Sequence, residues 1–422
     1  MLLVCLARAD DSVEAQLRAL AEQNQRLQRQ VQEQQAMIEQ LRGAGERQER
    51  ALRGLQERIE GRDDAKPAPA GSREHEIRLS GQAGIALFKT GAQGQFPNSE
   101  FRLDDAKVML EAPVAKDIYV VAGIDLQTRE ASDESSYLGE FYVDFENVSG
   151  PWGRDRLVNL RAGRFNIPFG EEYQLRSPVE NPLISHSVAD MWGFDEGVEI
   201  YGELGRFTYV VAVQNGGNPS LHDYNADKSV TARVGVDPWR WLHLSASAMR
   251  TGDLNVKNDS LSALWIGNGF FRALGAPATT TVFSADLAEL DAAARWKRGT
   301  LKATAGWVKF DDDDTTRSNA RRLRYYSLEG VQEIAGGMFA AARWSEMRVA
   351  RGYPLVGWGN FGTFMFASPP TTYLRRLSAG LGYRLSKPIV LKFEYAWERG
   401  RLTNGVERNH ENLLSTELAL QF

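Results

Sequence analysis

The stretch Ile389-Val-Leu-Lys-Phe-Glu-Tyr-Ala-Trp397 decides the fold of this chain. Its odd-numbered positions carry large apolar or aromatic side chains, and Lys392 and Glu394 stand between them. Because successive side chains of a β-strand point to opposite faces, such a stretch has one apolar and one polar face. A soluble β-sandwich also alternates, but it does not usually turn its largest aromatic side chains outward at strand ends. The pattern is typical of a transmembrane β-barrel wall.

About 16 segments with this period follow one another through the rest of the chain. They lie near residues 77–90, 99–112, 116–129, 137–148, 156–167, 196–204, 206–215, 228–237, 241–251, 281–297, 299–311, 321–334, 336–349, 373–385, 389–400 and 410–422. Short turns such as Trp296-Lys-Arg-Gly299 alternate with longer loops. We therefore predict an all-β transmembrane barrel of about 16 antiparallel strands over residues 77–422. An even strand number puts both barrel ends on the side of the short turns, which is periplasmic in outer-membrane barrels.

Two further features favour the outer membrane. Trp152, Trp239, Trp241 and Trp296 lie beside short turns, as expected for an aromatic girdle at one membrane interface. The chain ends Leu414-Ser-Thr-Glu-Leu-Ala-Leu-Gln-Phe422. This alternating end with its terminal Phe resembles the C-terminal signal by which outer-membrane barrels are recognised for assembly. The alternative interpretation is an ordinary final strand.

Composition and charge exclude other classes of protein. The formal net charge is −5, from 50 basic and 55 acidic side chains, and this near balance argues against nucleic acid as a partner. The mean hydropathy is −0.39. No apolar run is long enough for a transmembrane helix. No metal or other cofactor is expected, because the five His have no metal-ligand spacing and no nucleophile-elbow motif occurs.

Residues 10–60 have a different period. From Val13 to Ile59, apolar residues recur at alternating spacings of three and four, and ten of the 14 core positions of the heptads are apolar. We predict a periplasmic α-helical coiled coil, in which Asn24 helps to set the register and the number of helices. Because partners must bury such a stripe, the arm implies self-association. The alternative is a single amphipathic helix lying on another surface.

The remaining N-terminal segments are short. Residues 1–9 end in Ala7-Arg-Ala9, which has the form of a signal-peptidase site, so we interpret them as the remnant of a signal peptide. A lipoprotein signal at Cys5 is a weaker interpretation, because Val4 is bulky where a small residue is wanted. Residues 61–76 form a polar, proline-containing linker between the arm and the barrel.

One motif resembles a known family. The segment Arg161-Ala-Gly-Arg-Phe-Asn-Ile-Pro-Phe-Gly-Glu-Glu172 resembles the Gly-x-Phe-x-x-Pro-Phe-Gly stretch of the phosphate-selective porin O/P superfamily. A coiled-coil arm before the barrel resembles that of the DcaP-like trimeric porins in the same broad group. The resemblance covers essentially the whole chain after the signal remnant. It implies a homotrimer of 16-stranded barrels, each with its own pore, and it does not identify the solute.

The third long loop, about Pro168 to Asp195, is expected to narrow the pore, since the resemblance implies that it folds into the lumen. Its charged residues are the candidates for a constriction: Glu171, Glu172, Arg176, Glu180, Asp190 and Asp195. The inward phase of the strands supplies a basic wall: Arg161, Arg233, Arg295, Lys302, Arg343, Arg376, Arg384 and Lys392. Because rings of charge govern ion preference, we predict an acidic loop facing a basic wall. The alternative for each residue is a solvated or locally paired charge.

Together these features predict a passive diffusion channel for small hydrophilic solutes, expected to be anionic, in the outer membrane. Its partners would be membrane lipid, solutes and other copies of the chain. Lumen acids such as Asp125, Asp144 and Glu394 weaken a purely anion-selective interpretation. The alternative function is a structural outer-membrane anchor whose arm spaces or tethers the cell envelope. An enzyme is not expected, although His186 or His243 with a nearby Ser would make a barrel hydrolase conceivable.

Overall fold

The computed structural model describes residues 76–127, 137–175, 177–191, 193–216, 223–259, 270–271, 280–316 and 319–422. The predicted signal remnant, the coiled coil and the linker up to residue 75 lie outside the described residues, as does Arg176. What the sequence indicates for them therefore stays a prediction. Within the described ranges, no helix is long and apolar enough to cross a membrane.

The described residues form one antiparallel sheet with 16 long strands. In chain order they are β1 (Arg78–Thr90), β2 (Glu100–Ala115), β3 (Ile118–Gln127), β4 (Tyr137–Phe145), β5 (Asn159–Asn166), β6 (Phe194–Leu204), β7 (Phe207–Gln214), β8 (Ser229–Trp239), β9 (Leu242–Arg250), β10 (Val282–Trp296), β11 (Gly299–Asp312), β12 (Arg321–Glu333), β13 (Met338–Tyr353), β14 (Thr371–Ser386), β15 (Ile389–Leu402) and β16 (Leu413–Gln421). Two-residue strands at Leu254–Asn255 and Glu407–Arg408 extend two of the loops. Each of the 16 predicted segments corresponds to one long strand.

The sheet closes on itself, because β1 pairs with both β2 and β16. The pairing of β1 with β16 runs from Gln82 opposite Gln421 to Thr90 opposite Leu413. Every other long strand pairs antiparallel with its neighbours in the chain. The closed barrel confirms the predicted architecture for the part of the chain that the structure describes.

Alternation separates an outer from an inner face. In β15 the side chains of Leu391 and Phe393 are 48% and 47% exposed, whereas those of Val390 and Glu394, on either side of this pair, are fully buried. Similar apolar residues are exposed around much of the outer surface, as the lipid-facing wall of a membrane barrel requires. The quoted stretch from residue 389 to residue 397 thus lies in the wall as its period predicts.

The two ends of the barrel differ. At the short-turn end, two residues join β2 to β3, β6 to β7, β8 to β9, β10 to β11 and β14 to β15. Trp239 and Trp241 stack at this end with their ring centroids 5.5 Å apart, and Trp152 and Trp296 are exposed there. These four rings form the predicted girdle. At the other end, called here the long-loop end, the connections include residues 167–193 and 354–370.

Near the long-loop end of β10 to β13 the two faces are inverted. The inward side chains there are apolar and buried in one cluster: Phe283, Leu287, Phe310, Leu323, Tyr325 and Val349. The outward side chains between them are charged: Asp286, Lys309, Arg322, Arg324 and Arg348. A polar outside around an apolar inside is the arrangement of a wall surrounded by water or polar groups. The apolar outer band therefore stops before these strands end.

Candidate functional site in the barrel lumen

The motif that carried the family resemblance is where the chain leaves β5 and enters the lumen. Phe165, Ile167 and Phe169 are buried inside the barrel. Gly170 follows with a φ of +72°, a conformation that favours glycine. A Cβ at this glycine would collide with Glu289 of β10. The apolar residues and the glycine together turn the third long loop, residues 167–193, across the interior.

The distal part of this loop is fixed by a buried carboxylate. Glu394 of β15 accepts hydrogen bonds from the backbone N–H groups of Ile184 at 2.6 Å and Ser185 at 2.7 Å. It also accepts the Ser185 hydroxyl. Hydrogen bonds to an ionised acceptor are about twice as strong as neutral ones. Glu394 therefore anchors the loop through its main chain.

Three predicted wall cations hold the same part of the loop. Lys392 donates to the carbonyl oxygens of Pro178 at 2.7 Å and Leu183 at 3.0 Å. Arg343 donates to that of Ser185 at 2.7 Å, and Arg376 to that of His186 at 2.8 Å. We name these three side chains and Glu394 the loop clasp. These four side chains bind main-chain atoms of the loop. The pattern of charged residues in the loop sequence could not indicate such contacts, because main-chain groups are the same at every residue.

Each cation of the loop clasp also contacts a carboxylate of the wall. Lys392 lies 2.7 Å from Glu417, and Arg376 lies 2.6 Å from Glu398. Arg343 contacts Glu329, which Lys302 also approaches, to 3.3 Å. Taking an unpaired charge out of water costs free energy, so these pairs make the buried cations tolerable. Because each of these cations is paired with a carboxylate, the pairs have little net charge with which to attract an ion in the pore.

The predicted acidic residues of the loop have separate partners. Glu171 is 3.6 Å from both Arg233 and His243, and is thus the one that faces a wall cation in the described part of the loop. Glu172 instead accepts the N–H of Ser187 at 2.8 Å and its hydroxyl at 2.6 Å.

The other three acidic candidates also differ from the expected ring. Asp190 pairs with His186 at 3.2 Å, and Glu180 is exposed. Asp195 lies in β6 rather than in the loop, and it accepts the N–H groups of Gly216 at 2.5 Å and Glu196 at 2.9 Å. The strand begins earlier than the sequence indicates because Phe194 and Asp195 continue the ladder opposite Asn166 and Phe165.

Arg161 occupies a charged and aromatic niche beside β4 and β6. Its guanidinium lies 2.9 Å from Asp144, 3.2 Å from Glu199 and 4.3 Å from the centre of the Tyr142 ring. Across the niche, Arg233 donates to the carbonyl of Gly170 at 2.6 Å and lies 3.2 Å from the Tyr173 hydroxyl. Burial raises the pKa of the Tyr173 phenol, and the neighbouring Arg233 opposes that rise.

Two chambers remain between the loop and the wall. The first, of about 360 Å³, lies beside β5 to β8 and is lined by Arg161, Tyr173, Glu199, Tyr201 and Arg233 among others. The second, of about 100 Å³, lies beside β9 to β13 and is lined by Glu171, Arg295, Lys302 and Glu329 among others. Arg295 is exposed into it. Arg384 lies at the short-turn end, exposed, with its guanidinium 5.3 Å from the centre of the Phe339 ring.

An apolar cluster that the sequence analysis did not find fills part of the lumen toward the long-loop end. Phe271, from the loop between β9 and β10, packs on Phe283 with ring centroids 4.8 Å apart. Phe270 packs on Tyr353 at 4.7 Å, and Tyr353 stacks on Phe310 at 5.3 Å. The sequence feature that could have revealed this cluster is the position of the charged residues near the long-loop end of β10 to β13, which lie in the outward phase of these strands and leave the apolar residues inside. Here the barrel is packed like a soluble core.

Comparison with solved structures shows which known proteins have this fold. No family model and no curated protein matches the chain. The outer membrane channel DcaP of Acinetobacter baumannii is 11% identical with a TM-score of 0.55, and the match covers 85% of this chain and 99% of that one. The chain has the fold of outer-membrane porins.

Two further solved structures have the same fold. An anion-selective porin from Comamonas acidovorans is 11% identical with a TM-score of 0.51, and the match covers 82% of this chain and 99% of that one. The trimer form of OmpT, an outer membrane protein of Vibrio cholerae, is 10% identical with a TM-score of 0.53. The match covers 82% of this chain and 99% of that one. At such identities the likeness shows the fold alone, and membership of the phosphate-selective superfamily stays a prediction.

Proposed function

We propose that this chain is an outer-membrane porin, a passive diffusion channel for small hydrophilic solutes. The observation that carries the proposal is the third long loop, which crosses the lumen and leaves water-accessible, charged chambers beside it. A loop that only filled the barrel would leave no polar space. The similar solved structures include an outer membrane channel and an anion-selective porin, and this supports the same role here.

We further propose that the barrel assembles as a homotrimer, with residues 10–60 as a periplasmic coiled coil. The heptads of the arm and the family resemblance support it, and one similar structure is described as a trimer form. A peptide of residues 10–62 should associate in analytical ultracentrifugation. The alternative function, an envelope anchor, depends on the same arm, which lies outside the described residues.

A preference for anionic solutes stays a prediction. The strength of any such preference is limited, because most wall cations are paired with carboxylates. Six of the eight predicted wall cations contact a carboxylate: Arg161, Arg233, Lys302, Arg343, Arg376 and Lys392. Each chamber is lined by four carboxylate and three Arg or Lys side chains. We therefore expect any preference for anions to be small.

Planar-bilayer recording of the full chain tests the proposal. We expect stepwise, ohmic conductance, and a reversal potential in asymmetric salt close to zero. Heat-denatured protein serves as the control, because a folded barrel migrates differently from a boiled one on a gel. Folded, heat-modifiable protein that inserts without producing conductance steps would refute the channel and favour the anchor.

A further inference from the structure

The outer face of the barrel carries a belt of cations at the long-loop end of β11 to β15. We call the following residues the basic belt: Lys309, Arg322, Arg324, Arg348, Arg375, Arg399 and Arg401. They point outward, because the residues that alternate with them are buried inside the barrel; Tyr325, Val349 and Glu398 are examples. The belt thus lies on the outside of the wall and not in the lumen.

Strand register places the basic belt directly beyond the apolar band. Leu328, Trp344, Leu377 and Trp397 face one another across four strands and form an exposed apolar row. Two residues further toward the long loops, the next outward row consists of Tyr326, Glu346, Arg375 and Arg399. The row after that consists of Arg324, Arg348, Tyr373 and Arg401. The change from apolar to basic therefore occurs within one step of the alternation.

Within the basic belt, like charges stand directly opposite each other. Lys309 pairs with Arg322 in the ladder, Arg324 with Arg348, and Arg375 with Arg399. Like charges directly opposite one another destabilise a sheet. Acidic neighbours compensate only in part: Glu346 contacts Arg348, Asp311 contacts Lys309, and Glu407 lies 3.0 Å from Arg401. Among the described residues, Arg322, Arg324 and Arg375 have no carboxylate within ion-pair distance.

The facing pairs of cations occupy one arc of the wall, although single exposed cations also lie at this end on β1, Lys89, and on β9, Arg250. At the same end of β2, β3, β4, β7 and β8 the exposed outward side chains are apolar: Phe101, Leu103, Ile124, Leu126, Leu138, Val213 and Val230. A solubilising rim would be distributed around the whole barrel. The restriction to one arc and the repeated pairing of cations instead indicate a site for an anionic partner.

We propose that the basic belt binds the phosphate groups of lipid headgroups in the leaflet on the long-loop side of the membrane. The inference rests on the proposed function, because it requires the barrel to be inserted. Lipid is the occupant that fits the position, since the acyl chains of the same molecules would lie on the row of Leu328 and Trp344. Planar guanidinium groups bind phosphate oxygens in pairs, and a phosphate between two facing arginines removes their repulsion. The excess of cations favours phosphomonoester headgroups over zwitterionic ones.

Native mass spectrometry of the full chain extracted from vesicles tests the inference. The vesicles contain phosphatidylcholine with or without phosphatidic acid, and lipid retained per chain is counted. We expect the unmodified protein to retain phosphatidic acid selectively. The triple variant R324Q/R348Q/R375Q should lose roughly 100-fold in retention, since each basic side chain near an anionic lipid surface contributes about fivefold. Inorganic phosphate added in solution should leave the lipid bound.

A second triple variant, R240Q/K297Q/R298Q, removes three exposed cations at the short-turn end and should retain phosphatidic acid like the unmodified protein. Equal retention by both triple variants, displacement of the lipid by inorganic phosphate, or loss of self-association in the belt variant alone would each overturn the inference. Bilayer recording of the same samples separates it from the proposed function. Unchanged conductance steps in the belt variant keep the channel valid whatever the lipid result.

Discussion

The ammonium of Lys392 lies 2.7 Å from the carboxylate of Glu417 in an interior where the two side chains are only 1% and 0% exposed. The same ammonium donates hydrogen bonds to the carbonyl oxygens of Pro178 and Leu183 in the third long loop. One side chain therefore neutralises a buried acid of β16 and positions the loop across the lumen. Stability and pore width are coupled at this residue, and substitutions can separate them.

Replacing Lys392 by methionine should destabilise the barrel and widen the pore. Breaking a buried ion pair by removing one partner costs roughly 3–5 kcal/mol, because the remaining buried charge loses its counter-charge. The double variant K392M/E417Q should recover much of the stability, since neither member of this pair is left as a buried charge without the other, while the loop still lacks its donor. Conductance should be raised in both variants, and the temperature of gel-shift unfolding should fall mainly in the single one. Normal conductance in both would contradict the clasp.

Gly170→Ala should be more harmful than Gly205→Ala. Both glycines have positive φ, +72° and +64°, so an L side chain is strained by a similar amount, about 1–2 kcal/mol, at each position. At Gly170 a Cβ would also collide with the carboxylate of Glu289, which is buried and held by the Tyr325 hydroxyl, whereas at Gly205 nothing lies within 4 Å. We expect the unfolding temperature to fall slightly for Gly205→Ala and strongly for Gly170→Ala. Only Gly170→Ala should also alter the conductance. Equal shifts in unfolding temperature for the two variants would show that the third long loop accommodates a side chain at residue 170 without changing its path.

Charge substitutions in the second chamber should move the reversal potential in opposite directions. Arg295→Gln removes an exposed cation of the lining and should shift selectivity toward cations. Glu171→Gln removes the loop carboxylate that faces Arg233 and His243, and should shift selectivity toward anions. Arg240→Gln, on the turn between β8 and β9, is the matched control and should leave it unchanged. Shifts of the same sign would place these residues outside the conducting path.

Phe271→Ala should destabilise the barrel by roughly 3–5 kcal/mol, the usual loss for a fully buried phenylalanine. Phe271 is 1% exposed and packs on Phe283, so its removal should also loosen the apolar cluster and increase conductance. Phe366→Ala in another long loop is the control, because that side chain is 64% exposed. Denaturant unfolding followed by circular dichroism provides the stability, and bilayer recording the conductance. An unaltered conductance would mean that ions do not pass near this cluster.

The strands could be predicted because alternation is a local property. Lys392 and Glu394 were assigned to the inner face from the apolar residues beside them, and both point inward. The lumen loop could be expected because Phe169 and Met191 need burial and the interior is the nearest place for it. The first inference uses only the neighbours in sequence, whereas the second also rests on the family resemblance, which implies that the loop enters the lumen.

The partners of the charges could not be predicted. Phase indicates that Arg376 points inward, but it does not indicate that its acceptor is the backbone carbonyl of His186. Every residue has such a carbonyl, so composition offers no signal for it. The sequence places Asp195 in the loop because the apolar alternation of β6 is regular only from Val198 onward, whereas the strand begins directly after Gly193, at Phe194. The inverted end of β10 to β13 was missed because alternation alone does not indicate which face is outside.

The loop clasp has a consequence for sequence change. It recognises the main chain from Pro178 to His186 mostly through carbonyl and N–H groups, which every substitution except proline preserves. Loop side chains that face the solute can therefore be exchanged while the loop stays in position. Solute preference could be redesigned at the loop without rebuilding the barrel, and homologous channels could diverge in the same way.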